Sequence, residues 1–482
     1  MTTFARGSFI ILYIFHKQQS CLIVVVGVMR FFFLLFVMLI SATHLFAADF
    51  SFHQQQGTQQ GPTLLVIGGI DGDEPGGFHA AATLVTRYQV QRGNLWIVPN
   101  LNFESILKRQ RGNMNLKFAS VSKQDQQYQQ VQQIKKIITQ PQVDLILNLH
   151  DGSGFYHPER INSQRNPNRW GQSCVIDQSR IENVRFGNLE HLAEMITQQI
   201  NSKISTQDQN FLLKNMHTAT DRKAIAAKKS LSYFAVRNQK PCLSVEASKT
   251  HSVYLRTYYH LLALEATMQQ MGIHFTRDFQ LTPQGVKQII KDDAVLALVD
   301  GRVQLELNNM RTTIKNFPLP ETGTPEFTAN NPLITLLPAD NRYRIHYGNN
   351  RLAFINPHFV DLDHSIDSVK MVIDGMLQPV SFGSIVPVKK NFLVKEQQGY
   401  RVNVVGFSKP GHPNDGHLPI SHAQLKQSYS IDKAGQLYRV EIYRNERFSG
   451  MILVDFRQKS TRKEPLIARI HPINLESDQQ HN

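Results

Sequence analysis

The segment from Leu64 to Gly77 constrains the fold more than any other, because an apolar run passes directly into a turn rich in glycine and carboxylates. The run Leu64–Ile70 has the length and composition of a buried strand. Asp71, Asp73 and Glu74 then follow within four residues. Carboxylates held this close repel one another unless a cation or a shared proton offsets their charge. The segment therefore predicts a strand that ends in a metal-binding turn.

Strand-like and helix-like segments alternate through the first half of the chain. Apolar runs typical of strands include Leu95–Val98, Val143–Leu149 and Cys242–Val245, and apolar residues recur at helical spacing over Tyr254–Met271. Largely apolar strands that alternate with helices indicate a mostly parallel, mixed sheet with helices on both faces. We therefore predict an α/β domain over residues 49–285.

The second part of the chain has a different pattern of apolar and turn-forming residues. Short strand-like runs, separated by Asp-Gly, Asn-Asn and proline-rich turns, predict β structure. We expect a small β-rich domain over residues 286–364 and a β-sandwich-like C-terminal domain over residues 365–482. In the C-terminal domain, the segment Leu437–Tyr443 interleaves apolar residues with Arg439 and Glu441, which predicts a half-exposed strand.

The N-terminal segment has the composition of an export signal. Residues 1–48 contain no Asp or Glu, and the apolar run Phe31–Ile40 follows Met29-Arg30 and precedes small residues. This pattern predicts a secretory signal peptide, with Met29 as a candidate true start. The mature protein is then expected in the periplasm without a stable membrane span. An uncleaved anchor that uses both apolar runs of the leader is the alternative.

The formal net charge of the chain is +14. A basic exported protein suits anionic envelope polymers or membranes better than nucleic acid, and the chain has no Lys/Arg-rich run typical of nucleic-acid tails. A generally basic, solvated surface explains the charge nearly as well. Two cysteines lie beyond the leader, Cys174 and Cys242. Export permits a disulfide between them, although two buried thiols fit the sequence equally.

Three strands of the predicted sheet end in groups that can bind a metal or transfer a proton. The first ends at Asp71 and Glu74, a second at His150, and a third at Glu246. Ligands of open α/β sheets bind beyond the carboxyl ends of strands, so these residues can converge. Two ligands three residues apart and one distant histidine fit a catalytic zinc site with a fourth position for water. Glu246 is then free for acid–base chemistry.

Each of these residues also has a purely structural reading. His150 could be a hydrogen-bonded structural histidine, and Asp71 a turn former. Glu246 could be a salt-bridge partner of Lys249. The presence of functional groups at three strand ends together favours the metal site.

The order of the motifs resembles that of the zinc metallocarboxypeptidases, and most closely that of the cell-shape-determining peptidoglycan D,L-carboxypeptidases of helical bacteria. The succession of a signal, a carboxypeptidase-like domain and two β domains is similar as well. The segments that carry the resemblance are Gly68–Gly77, Arg111–Phe118, Leu149–Phe155, Arg169–Ser173 and Glu246–Lys249.

The resemblance implies that Glu74 and His150 bind one Zn²⁺ per chain and that Glu246 is the catalytic glutamate. The first ligand is His in most of the family and Gln in the cell-shape subgroup, whereas this chain has Asp71. Asp can bind zinc through oxygen. It also adds negative charge, which should weaken the Lewis acidity of the ion and favour harder metals.

The family's Asn-Arg pair for the substrate carboxylate is only half present, because Asn115 is followed by Leu116. Arg111 or Lys117 could supply the missing cation, since a terminal carboxylate is best held by a fixed positive charge. Arg111 is the first choice because it also matches a family position. The family's catalytic tyrosine has no identified counterpart in this chain.

The resemblance implies a metal-dependent D,L-carboxypeptidase that trims peptidoglycan stem tripeptides to dipeptides at the D-glutamate–diaminopimelate bond and thereby affects cell shape. The implied partner is a peptidoglycan muropeptide, and an envelope protein is a further candidate partner for the β domains. One alternative is an envelope-binding protein whose activity is weakened or lost, as Asp71 and Leu116 would indicate. Another is an amidohydrolase for N-acyl amino acids, against which the signal and the β domains argue.

Overall fold

The structure is a computed structural model that describes residues 50–222, 224–292, 294–321 and 325–457. The predicted signal peptide lies outside the described residues. The strands of the first region are β1 (His53–Gln56), β2 (Gln59–Ile67), β3 (Tyr88–Val98), β4 (Leu145–Gly152), β5 (Phe155–Tyr156), β6 (Arg165–Asn166), β7 (Ser173–Ile176), β8 (Leu212–Asn215), β9 (Cys242–Ser248) and β10 (His274–Arg277). Its helices are α1 (Pro75–Arg87), α2 (Phe103–Lys108), α3 (Met114–Lys117), α4 (Tyr128–Ile138), α5 (Leu189–Asn201), α6 (Leu231–Arg237), α7 (Val253–Met271) and α8 (Pro283–Asp292).

The strands of this region, apart from the short pair β5–β6, form one sheet in the order β1-β3-β2-β4-β9-β7-β8, with β10 also paired to β3. The central strands β3, β2, β4 and β9 run parallel, and the flanking pairs β1–β3, β10–β3 and β7–β9 are antiparallel. Every residue of β4 is buried, which requires cover on both faces of the sheet. The predicted mostly parallel, mixed α/β sheet is confirmed.

Two positions in the turn after β2 accept only glycine. A Cβ on Gly72 would lie 2.0 Å from the carbonyl carbon of Ser105 on α2, and Gly69 has a φ of +71°. Both positions therefore exclude other side chains without a shift of the backbone. Glu74 follows as the N-cap of α1, and Pro75 occupies the first helical position, where a missing N–H is not needed. This tight turn fixes the direction of Glu74.

Two β-rich blocks follow α8, and the sequence also predicts β structure there. The domain boundaries at residues 285 and 364 remain predictions. The strands form four sheets with the orders β12-β11-β14, β13-β17-β16-β15, β19-β18-β21-β23 and β20-β25-β24-β22. These strands are β11 (Val295–Leu298), β12 (Val303–Glu306), β13 (Thr313–Leu319), β14 (Phe327–Ala329), β15 (Ile334–Ala339), β16 (Arg342–Tyr347), β17 (Asn350–Phe359), β18 (Ser368–Ile373), β19 (Met376–Ser381), β20 (Ile385–Pro387), β21 (Asn391–Val394), β22 (Tyr400–Val404), β23 (Ile420–Ser421), β24 (Leu437–Arg444) and β25 (Arg447–Asp455).

The expectation of a half-exposed strand at Leu437–Tyr443 is wrong. One face of β24 contributes Leu437 to the core shared with the α/β region, and the other contributes Val440 to the core of the C-terminal block. Arg439 and Glu441 are consequently buried, and they form an ion pair at 3.1 Å. The sequence pattern led us to expect water around the two charged side chains. In the structure, the ion pair between them takes the place of that water.

Two further features bear on the sequence predictions. Cys174 and Cys242 are both buried and both free thiols, so the structure shows the second of the two arrangements that the sequence left open. No helix among the described residues is long and apolar enough to cross a membrane.

Candidate metal centre

Asp71, Glu74 and His150 converge beyond the carboxyl ends of β2 and β4. One ligand atom from each lies within 4.8 Å of the others, and all three residues are buried. His150 Nδ1 lies 2.8 Å from Glu74 Oε2 and 3.5 Å from Asp71 Oδ2. This arrangement fits a single ion held by three protein side chains. We call Asp71, Glu74 and His150 the metal triad.

The carboxylate of Asp71 tests whether these residues suit a metal. Asp71 is only 1% exposed, and neither of its oxygens accepts a hydrogen bond from the described residues. A buried carboxylate without a donor is unfavourable unless a cation neutralises it. Two carboxylates and an imidazole are ligands that Zn²⁺ accepts. The residues present therefore fit a divalent metal ion.

The charges of the triad are strongly interdependent. Burial alone would lower the pKa of His150, but the charge of Glu74 and the hydrogen bond to it hold that pKa well above its usual value. Burial raises the pKa of Glu74 as well. Metal ligands must be deprotonated, so binding of an ion at His150 Nδ1 has to displace a proton.

Asn148 is a candidate positioning residue that the sequence analysis did not single out. It lies fully buried on β4, two positions before His150, and its Nδ2 is 2.8 Å from His150 Nε2. Its Oδ1 has no hydrogen-bond partner among the described residues. Either amide atom can face the ring, and an inward Oδ1 would accept the Nε2 proton and leave Nδ1 free for a metal. The signal was a lone Asn in an apolar strand, on the same face as His150.

Asp151 holds the start of α1 against β4. Its backbone N–H donates to Glu74 Oε2 at 3.1 Å, and its carboxylate accepts hydrogen bonds from Gly76 N, Arg256 and His260 at 2.8, 2.6 and 3.0 Å. Burial alone would raise the pKa of Asp151, but the hydrogen bond from His260 and the charge of Arg256 hold it below its usual value. This buried network fixes the position of Glu74.

Glu246 lies beside His150, because the register of β4 and β9 pairs the two residues. Burial of its carboxyl group and the nearby charge of Glu74 raise the pKa of Glu246 to about 8, against the opposing effect of His150. Lys249, which the sequence offered as its salt-bridge partner, instead pairs with Asp73 at 2.5 Å and lies 3.5 Å from Glu74 Oε1. Glu246 has no ion-pair partner within the described part of the chain.

The three predicted substrate-binding residues differ in the groups that they contact. Arg111 Nε lies 3.7 Å from Asp71 Oδ2 and its side chain is 59% exposed, so it reaches the triad from the solvent side. Asn115 Oδ1 accepts a hydrogen bond from the first N–H of α6 at 3.0 Å. Lys117 pairs with Asp125 at 2.5 Å. The structure therefore brings Arg111 to the triad, and the roles of all three residues stay predictions.

Comparisons with known proteins identify similar sequences and solved structures. A family model described as the catalytic part of carboxypeptidases controlling helical cell shape matches residues 21–291. A second, described as the C-terminal domain of metallo-carboxypeptidases, matches residues 362–457. A comparison with curated proteins finds no match.

Similar solved structures include the cell shape determinant Csd4 of Helicobacter pylori. Its apo and tripeptide-bound forms are each 34% identical to this chain with a TM-score of 0.77, over 85% of this chain and 100% of that one. Its mDAP-bound form, described as a D,L-carboxypeptidase, is 35% identical over 84% of this chain and 100% of that one, with a TM-score of 0.77.

Replacement of Asn148 tests its role in orienting His150. Asn148→Ala is expected to weaken metal binding by about 10- to 100-fold, as loss of a partner to a ligating histidine usually does. The measurement is chelator competition on the purified protein. Asn331→Ala is the matched control, because Asn331 is also a buried asparagine but bonds to the backbone of Leu333. Equal metal affinity in the two variants would contradict the assignment.

Proposed function

The chain belongs to the family of carboxypeptidases controlling helical cell shape, and from this premise we propose its substrate, metal and location. It is a metal-dependent D,L-carboxypeptidase that hydrolyses the D-glutamate–diaminopimelate bond of peptidoglycan stem tripeptides and leaves dipeptides. The observation that carries this function is the convergence of Asp71, Glu74 and His150 beside Glu246 at one edge of the sheet. Family membership displaces the alternative of an amidohydrolase for N-acyl amino acids.

Two solved structures of one relative support the substrate. Csd4 of Helicobacter pylori has been solved with a tripeptide and with mDAP. The present chain covers the full length of those structures, so the region that holds the ligand has a counterpart here. The exposed Arg111 beside the triad suits the terminal carboxylate of such a stem, because a guanidinium binds a carboxylate through two parallel hydrogen bonds.

The proposed ion is zinc, held by Asp71, Glu74 and His150. When bound there, Zn²⁺ would polarise the scissile carbonyl and lower the pKa of water towards neutrality. Glu246 takes a proton from the attacking water and delivers it to the leaving amine of diaminopimelate. Because Glu246 forms no ion pair with the described residues, its carboxylate is available for both proton transfers. Arg111 holds the substrate carboxylate and so orients the bond to be cut.

The envelope is the proposed place of action. Peptidoglycan lies outside the cytoplasmic membrane, and the acid-free, apolar leader predicted from residues 1–48 would export the chain to the periplasm. The two β-rich blocks are then available for contacts with the cell wall or with an envelope protein. Loss of the enzyme in its host is expected to leave longer stem peptides in the wall and to change cell shape.

Glu246→Gln separates catalysis from metal binding. The variant should lose about 100- to 10,000-fold in the rate of tripeptide trimming, the usual contribution of a general acid–base. Its metal affinity should stay within a few fold of the wild type, because Glu246 is not a ligand. Release of diaminopimelate from a muropeptide tripeptide measures the rate. Glu194→Gln, an exposed glutamate on α5, is the control. Wild-type trimming by Glu246→Gln would refute the assigned role.

Asp71→Gln tests whether Asp71 binds the ion. The variant keeps an oxygen ligand but removes one negative charge, so the bound metal should become a stronger Lewis acid and harder metals should lose their advantage. We expect the ratio of activity with Zn²⁺ to activity with Mn²⁺ to rise several fold over that of the wild type. Asp71→Ala should instead weaken the binding of both metals. An unchanged ratio together with unchanged affinities would show that Asp71 is not a ligand.

A further inference from the structure

The sheet β13-β17-β16-β15 carries a cluster of cations on one face. Arg342 and Arg344 lie on β16, and Arg351 and Phe354 lie on β17. The register pairs Arg344 with Phe354, so their side chains share a face. The guanidinium carbons of Arg342 and Arg351 lie 3.8 and 4.6 Å from the centre of the Phe354 ring. We call these four residues the arginine face.

The end of α2 connects the metal triad with the hairpin of β16 and β17, the two strands that carry the arginine face. The guanidinium of Arg109 donates to Asn349 O at 2.6 Å, in the turn between β16 and β17, and to Asn350 Oδ1 at 3.1 Å, at the start of β17. Arg111 follows two residues later and lies 3.7 Å from Asp71. Two residues span at most about 7 Å. The short segment 109–111 therefore links the turn beside the arginine face to the metal triad.

The positive charges of this surface have no acidic partner in the part of the chain that the structure describes. Among the described residues, neither Arg109 nor the arginines of the arginine face form an ion pair with an acidic side chain. The ring of Phe354 offsets part of the charge of Arg342 and Arg351 through cation–π contacts. Arg344 has no such contact and is exposed. Like charges gathered on one surface repel each other, which favours the binding of an anion.

A buried histidine beneath these arginines points to a ligand independently. His346 is only 6% exposed, and neither ring nitrogen has a hydrogen-bond partner in the described chain. The register pairs His346 with Arg351, so the side chain of His346 lies on the same face of the sheet as the arginines. Buried polar atoms normally find a partner, and an exception calls for an explanation. Burial and then the charges of Arg344, Arg351 and Arg109 lower the pKa of His346 to about 4, which leaves the ring neutral.

We propose that the arginine face and His346 bind carboxylates of peptidoglycan stem peptides next to the stem that is being cut. This inference rests on the proposed function, since the substrate polymer brings its own neighbouring carboxylates to the surface. Guanidinium groups suit carboxylates because both are planar and can form two hydrogen bonds. A neutral His346 can donate one further hydrogen bond. The polymer is thereby bound at two places, which raises its apparent affinity above that of a free tripeptide.

The test compares polymeric and free substrates. Arg344→Ser/Arg351→Ser is expected to lower kcat/KM on intact sacculi roughly 5- to 10-fold, mainly through KM, as expected for two partly exposed charge contacts. Hydrolysis of the free tripeptide should change by less than about twofold on the same reasoning. The matched control is Arg401→Ser/Arg444→Ser, which removes two arginines that lie over Tyr443 and Tyr400 in the C-terminal block.

Direct binding provides a second readout that does not need catalysis. Wild-type protein should cosediment with purified sacculi, and the Arg344→Ser/Arg351→Ser variant should cosediment several fold less. Sacculi whose carboxylates have been amidated should retain the wild type no better than the variant. Undiminished binding to amidated sacculi would overturn the inference, because other anions of the wall would then be the ligand.

Other results also decide the question. If Arg344→Ser/Arg351→Ser loses activity equally on sacculi and on free tripeptide, the arginines act on the metal triad. If the variant loses no activity on sacculi, the arginine face does not bind the polymer. Both results overturn the inference. If the wild type hydrolyses neither substrate, the proposed function fails. The cosedimentation comparison then still shows whether the arginine face binds the wall.

Discussion

Parallel pairing of β4 with both β2 and β9 places three chemically active strand ends side by side. Glu74 follows the first, His150 lies within the second and Glu246 within the third. Because every residue of β4 is buried, charges at its end are removed from most of the solvent and depend on specific partners. The chemistry of the site thus follows from the order of the strands and from the close turn at Gly72.

Buried carboxylates in this protein differ in how their charge is balanced. Asp151 has Arg256 and His260 as partners, and Glu441 has Arg439. Asp71 is equally buried, yet the described residues give its oxygens no hydrogen bond. The nearest cationic groups to Asp71 are Arg111 at 3.7 Å and His150 at 3.5 Å, and a buried carboxylate without a hydrogen-bond donor suits a metal ion. The arginine face shows the same contrast with opposite sign, because its cations have no acidic partner among the described residues.

The sequence alone predicted which residues lie together at the ends of strands. The metal triad and the mixed sheet were predicted because apolar runs and the residues that follow them are local features. Asn148 was missed, since its position two residues before His150 places both side chains on one face but does not show that the amide contacts the ring. The network around Asp151 joins residues more than 100 positions apart. The burial of β24 could not be foreseen, because it depends on two separate cores that meet on one strand.

Zinc content and muropeptide digestion of one purified preparation test the central claim most directly. The metal triad predicts about one zinc ion per chain, consistent with three protein ligands. The zinc-loaded protein should convert tripeptide stems to dipeptides with release of diaminopimelate. A chelator should abolish this activity, and added Zn²⁺ should restore it. Trimming that persists after complete removal of metal, or a zinc-loaded protein that leaves tripeptides intact, would contradict the account.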